Sequence, residues 1–297
     1  MKTVSSVQLR FGHRLRSLRF ETCAYPIRLP LALPGVCEVG IQLARTGALL
    51  LFHRFPAEQL GAQILGVELG RGRHVHARAG ETVAILGSTG SGKSTLISLI
   101  PRLYDVSAGS VKIDGRDVRD YHLNTLRGAI GVALQESVLF TGTIEENLRW
   151  GDENASPEEI RHAAAIAQAD PFVEKLADGY QTELGQRGVN LSGGQKQRLC
   201  IARALAKHPR ILILDDSTSA VDLATEAEIQ KGLRGAFGDM TVFIIAQRIS
   251  SVMDADRILV MENGRVIDSG KHEELKKRCE VYREIVVSQL GEEAARA

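Results

Sequence analysis

No two cysteines stand in a CxxC pair. The four present, Cys23, Cys37, Cys200 and Cys279, are scattered along 297 residues. That argues against a zinc site or disulfide framework and fits reduced thiols in a cytosolic setting. No run reaches the ~18 apolar residues of a membrane-spanning helix. The nearest approach, residues 29–52, is interrupted by Glu38, Arg45 and several prolines and glycines. Aspartate is absent from the first 80 residues, where eleven Lys and Arg face four Glu, a balance of +7. Residues 81–297 carry 26 basic and 32 acidic side chains, a balance of −6, so the two segments point to different origins. The acidic larger part offers no footprint for nucleic acid. Repeats and low-complexity tracts are also absent. The Arg-rich, acid-poor start has the composition of an organelle transit peptide, though translation out of frame explains the same bias.

What is present is an ordinary globular balance, 44% apolar and 25% charged, with length enough for one large or two small cored domains. Short apolar runs occur at 82–86 (TVAIL), 129–134 (AIGVAL), 211–214 (ILIL), 241–246 (TVFIIA) and 257–261 (RILVM). Runs apolar on both faces predict strands of a covered parallel sheet. Helical patterns lie between them. SPEEIRHAAAIAQA opens with Ser156 as N-cap, Pro157 at the first helical position and acids in the first turn. DLATEAEIQKGLRGAF and 271–290 are amphipathic, and 141–190, with no convincing strand, reads as a helical insertion. The alternation predicts an α/β domain.

GSTGSGKST, residues 87–95, follows a predicted strand and opens a helix. It fits G-x-x-x-x-G-K-[ST] with Gly87, Gly92, Lys93 and Ser94. Gly87, Gly90 and Gly92 let the backbone N–H groups of Ser88, Ser91 and Thr95's turn curl around phosphate oxygens, and the helix start adds a favourable dipole. Lys93 is expected to reach the β- and γ-phosphates, and Ser94 to bind Mg²⁺. A chance Gly/Ser turn is the alternative. Against it stands the strand ILIL ending in Asp215, which places a carboxylate where it can share the metal with Ser94. A second glycine-rich helix start, LSGGQKQRLCIARALAKHP (191–209), is expected to run to about His208. Ser192 caps it, and Gly193 and Gly194 leave amides open to an anion. From this segment alone, an ordinary capped helix with a basic face is the better reading.

GSTGSGKST, Gln135, LSGGQ (191–195) and ILILDD in this order resemble the nucleotide-binding domain of ATP-binding cassette (ABC) transporters, over roughly residues 78–290. SVLFTGTIEENLRWG, TELGQRGVNLSGGQ and GRVIDSGKHEEL resemble the exporter branch, multidrug type. The resemblance implies a P-loop NTPase core (78–135 and 208–270) with a parallel sheet flanked by helices. It adds an α-helical signature subdomain (136–207) and a C-terminal helix (271–290). It also implies MgATP as ligand and a partner cassette stacked head to tail, so that each ATP lies between one phosphate loop and the other chain's Ser192, Gly193, Gly194 and Gln195. Gln135 would sit near Mg²⁺ and couple to membrane domains, and Ser219 to Asp222 would form the loop touching the opposite site. The expected location is the cytoplasm or the cytoplasmic face of the cell membrane.

Three positions depart from the family pattern. Asp216 stands where the pattern has Glu, which orients or deprotonates the attacking water, and its carboxylate is withdrawn by one methylene, roughly 1.5 Å. Gln247 stands where the pattern has His, and Gln can only hydrogen-bond. Gln186 replaces a more usual acid before Arg187 and Gly188. Asp216 with Gln247 is the expected signature of a degenerate half-site in a heterodimeric exporter. A slow homodimeric ATPase, a soluble ATP-gated clamp and a non-functional remnant are the other readings. Clamps carry long coiled-coil or zinc insertions, and none is visible between Gln135 and Ser192. Residues 1–76 show neither the roughly six membrane helices nor the adenine-stacking aromatic loop of exporters, and the antiparallel sheet that carries that loop is expected to be missing. His74-Val75-His76 becomes Thr-Phe-Thr if its codons are read one base later, so the segment is expected to be translated out of frame. A genuine N-terminal extension is the alternative.

Overall fold

The structure is a computed structural model. It describes residues 4–11, 14–21, 64–69, 73–236 and 239–293, so the frame-error expectation falls mostly outside the described residues. The chain divides into two units, Met1–His53 and Arg54–Ala297. In the first, β1 (Val4–Phe11) pairs antiparallel with β2 (Arg14–Glu21).

The second unit runs β3 (Ile64–Leu69), β4 (Arg73–Arg78), β5 (Thr82–Gly87), α1 (Lys93–Ser98), β6 (Val111–Ile113), β7 (Arg116–Asp117), α2 (Leu123–Gly128) and β8 (Ile130–Ala133). Then come β9 (Gly142–Thr143), α3 (Ile144–Arg149), α4 (Pro157–Ile166), α5 (Asp170–Val173), β10 (Glu183–Leu184) and α6 (Gly193–Leu205). It closes with β11 (Ile211–Asp215), α7 (Leu223–Ala236), β12 (Thr241–Ile245), β13 (Arg257–Glu262), β14 (Arg265–Gly270), α8 (His272–Arg278) and α9 (Glu280–Leu290).

The six-stranded sheet has the order β14-β13-β5-β12-β11-β8, parallel except for the antiparallel edge strand β14. All five apolar runs became strands of it. The reason lies in its two faces. Ala84, Leu86, Leu212 and Leu214 pack into one buried cluster with the helices, while Val83, Ile85, Ile211 and Ile213 pack into another. A strand covered on both sides has no polar positions to alternate.

The antiparallel sheet expected to be missing is present. β3 pairs with both β4 and β6, and β7 completes the order β4-β3-β6-β7. Val75, Ala77, Val111 and Ile113 bury its inner face against the second cluster. The domain boundary expected at 76–78 therefore falls inside β4. Two further expectations are corrected. Residues 271–290 form two helices rather than one, because Cys279 between them is extended (φ −102°, ψ 108°). The insertion 141–190 contains a two-residue antiparallel pair, β9 with β10, too short to leave a periodic signal. The Ser156 cap forms as expected, a reciprocal box with Glu159 and Pro157 at the helix start. No described helix is long and apolar enough to cross a membrane.

Candidate functional site

Strand β5 delivers the glycine-rich loop to the carboxyl edge of the sheet, where ligand sites of open α/β folds lie. Gly90 (φ 80°) and Gly92 (φ 93°) are left-handed, a conformation side chains disfavour. A Cβ on Gly87 would meet the Met261 carbonyl oxygen at 2.2 Å. The β13–β14 turn braces the loop, since the Gly264 amide donates to the Ser91 carbonyl at 3.1 Å. Helix α1 starts at Gly92 with no side-chain cap. The hydroxyl of Ser91 is buried without a hydrogen-bond partner. Ser88, Ser94 and Thr95 are exposed along the rim.

Lys93 Nζ donates to the carbonyls of Gly87 and Ser88, both at 2.9 Å. Burial pulls its pKa below the usual lysine range, and Asp215 and Asp216 partly restore it. Ser94 Oγ lies 3.2 Å from Asp215 Oδ1. Burial lifts the Asp215 carboxyl above its usual range, opposed by the Ser94 hydrogen bond and Lys93, and reinforced by the neighbouring Asp216. A serine hydroxyl beside a carboxylate is a pair of hard oxygen donors suited to Mg²⁺, which takes one or two protein ligands and completes its shell with phosphate and water. Among the described residues no cluster of three or more His, Cys, Asp or Glu could hold a metal ion.

Asp216 is buried and left-handed (φ 48°). Its amide donates to the Ile245 carbonyl at 2.9 Å, tying the end of β11 to β12. Gln247 Nε2 donates to Asp216 Oδ2 at 2.7 Å, and Gln135 Nε2 reaches the same oxygen at 3.5 Å. The structure thus brings Lys93, Ser94, Gln135, Asp215, Asp216 and Gln247 into one cluster.

The signature starts α6. Ser192 Oγ accepts from the Gln195 amide at 3.3 Å, and Gln195 Oε1 accepts from the Ser192 amide at 2.9 Å, a closed capping box. A Cβ on Gly194 would sit 2.7 Å from the Ala220 carbonyl oxygen. The helix ends at Leu205, short of His208. Ser219 and Asp222 belong to the loop packed against it. Asp222 Oδ1 accepts from the Thr225 amide at 3.0 Å, and that bond holds its carboxyl below the usual range.

Three residues that hold this loop escaped the sequence reading. Buried Gln197 donates to Ser219 Oγ at 2.9 Å and accepts from the Ala220 amide at 2.8 Å. Arg248 donates to the carbonyls of Ser219 (2.5 Å) and Val221 (3.1 Å). Glu226 accepts from Thr218 Oγ1 at 2.6 Å. Nothing local marks them, because each partner lies on a different element.

A phosphate loop on a buried parallel strand, with a carboxylate-tipped strand two places away, defines a P-loop NTPase fold of the mixed α/β class. The chain belongs to the ABC transporter family, whose profile matches residues 71–219, about half of its length. It is 52% identical over 219 residues to the uncharacterized ABC transporter ATP-binding protein YfiB of Bacillus subtilis (strain 168), covering 74% of this chain and 38% of that one. It is 49% identical to the putative multidrug export ATP-binding/permease protein YgaD of the same organism, covering 71% and 36%. Among solved structures, a bacterial Atm1-family ABC exporter with ATP bound matches with TM-score 0.73 and 38% identity, over 78% of this chain and 43% of that one. The matches thus span less than half the length of these relatives. The chain carries an ABC cassette of an exporter family.

Proposed function

We propose that the cassette binds MgATP at its phosphate loop, hydrolyses it slowly there, and closes head to tail with a partner cassette to drive transport through membrane domains. Lys93 would turn from its own carbonyls to the β- and γ-phosphates. Ser94 and Asp215 would hold Mg²⁺, and the ion supplies charge neutralisation at the phosphate oxygens. Gln135 and Gln247 would orient groups around Asp216, which would position the attacking water. Ser192, Gly193 and Gly194 would serve the partner's site, whose own cassette supplies the Glu and His absent here.

The observation that carries the slow-site reading is the Gln247–Asp216 bond at 2.7 Å. It ties the carboxylate that would receive the water to an amide, and that carboxylate already stands on the shorter arm. A misplacement of about 1 Å costs on the order of a hundredfold in rate. Asp216→Glu with Gln247→His should therefore raise single-turnover phosphate release toward that order in full-length chain shown to dimerise, with MgATP affinity little changed. No gain in confirmed dimers would place the deficit elsewhere. No MgATP binding at all would favour the remnant reading.

A further inference from the structure

The segment after β12 carries Gln247, and a side chain from the far end of the sequence grips it. Gln289 lies near the end of α9. Its Nε2 donates to the Gln247 carbonyl at 2.7 Å, and its Oε1 accepts from the Ile249 amide at 2.8 Å. One side-chain amide thus pairs with the backbone on both sides of Arg248, as a neighbouring strand would. The orientation of the amide is fixed by its partners, since a carbonyl needs a donor and an N–H needs an acceptor. Helix α9 is held in place by Tyr282 and Val286, both fully buried, and Tyr282 Oη is 2.7 Å from His272 Nδ1 on α8. Val286 and Gln289 are three residues apart and share a helix face. A second amide, Gln230 Nε2, donates to the Ser251 carbonyl at 2.9 Å. The backbone of 247–251 is therefore held from α9 and α7, while Gln247 points its own amide at Asp216.

We infer that Gln289 is a positioning residue for the site: through the backbone of Gln247 and Ile249 it sets where the Gln247 amide meets Asp216. The C-terminal helix pair thereby becomes part of the nucleotide machinery rather than an appendage to it. The consequence for the reaction rests on the proposed role of Gln247 beside Asp216, whereas the grip itself does not.

The test uses the full chain and two readouts. Gln289→Met keeps the side-chain length and removes both polar ends; Gln289→Glu keeps the acceptor for Ile249 and loses the donor. In nucleotide-free protein, amide hydrogen exchange at Ile249 should quicken about tenfold in Gln289→Met, on the scale of one lost hydrogen bond, and less in Gln289→Glu. Unchanged exchange in Gln289→Met overturns the inference. The second readout is a double-mutant cycle on single-turnover phosphate release in an Asp216→Glu background. Gln289→Met should speed release about tenfold when Gln247 is present, because it frees the residue-216 carboxylate from the Gln247 amide, with MgATP affinity held, and have no further effect when Gln247 is replaced by Ala. An equal change in both backgrounds, or a slowing, means Gln289 does not act through Gln247 and overturns the positioning role. A background that neither binds nor hydrolyses MgATP counts against the proposed function instead, and the exchange measurement then decides the grip alone.

Discussion

Two glycine-rich helix starts in this molecule look alike in sequence and differ in how they are finished. At the start of α1, Gly92 is left-handed, no side chain caps the helix, and Ser91 buries a hydroxyl with no partner. Its lysine is folded back onto the loop's own carbonyls. At the start of α6, Ser192 and Gln195 satisfy each other in a closed box, and Gly194 is pressed against the Ala220 carbonyl. The first start is left without a side-chain cap, with the Ser91 hydroxyl unsatisfied beside it. The second is complete as a helix end and offers only the amides of Gly193 and Gly194 beyond its box. The difference teaches that a helix terminus can be built either to receive an anion or to present a finished surface, and that glycine serves both ends for different reasons. In one place it supplies positive φ, in the other close approach.

The largest effect should come from breaking the open start. Lys93→Ala should weaken MgATP binding about fiftyfold, the scale of one charge-assisted hydrogen bond, in an equilibrium titration of the full chain, with little change in nucleotide-free Tm. The finished start should respond the other way round. Gly194→Ala forces a Cβ against Ala220 and should cost about 2 kcal/mol, lowering Tm by about 4–8 °C while the folded fraction keeps its MgATP affinity. An equal loss of affinity would show that the two starts are not separable within one chain.

The smallest effect concerns the carboxylate beside the open start. The folded-state pKa of Asp215 is raised above the ordinary value of 3.8, chiefly by burial. Between 3.8 and the folded value the folded chain binds more protons than the unfolded one, so stability falls as pH rises through that interval and stays lower at neutral pH. Asp215→Asn removes this penalty. Nucleotide-free, magnesium-free protein should gain in Tm at pH 7, and calorimetry should find the gain vanishing below pH 3.8. The same change should abolish the Mg²⁺ dependence of ATP binding, a trade of function for stability.

Much of this site was legible in the sequence because its parts are local. The phosphate loop is contiguous, the buried strands announce themselves by unbroken apolar runs, and Ser156 and Ser192 stand three residues before a Glu and a Gln that close their boxes. The grips on the loops were not legible. Gln197 to Ser219, Arg248 to Ser219 and Gln289 to Ile249 span 22, 29 and 40 residues, and a polar residue on a helix gives no sign of a distant backbone partner. The break at Cys279 was hidden for a related reason. The amphipathic pattern runs through it, and only the extended backbone at Cys279 shows two short helices. The sheet β4-β3-β6-β7 was missed because its strands lie on both sides of the phosphate loop in sequence and are short and mixed in composition.

The position of β5 in the sheet has a consequence for how the protein is made. Its two neighbours are β12 and β13, which the ribosome produces more than 150 residues later. Until residue 245 has left the exit tunnel, the strand bearing the phosphate loop has no edge to pair with. Non-local pairing of this kind is slow and leaves apolar strands uncovered in the meantime. Nascent chains stalled before Thr241 should therefore be protease-sensitive around Gly87 and unable to retain nucleotide, and those stalled well beyond Glu262 should be protected, so that the phosphate loop, although made early, waits on β12 and β13 for its frame.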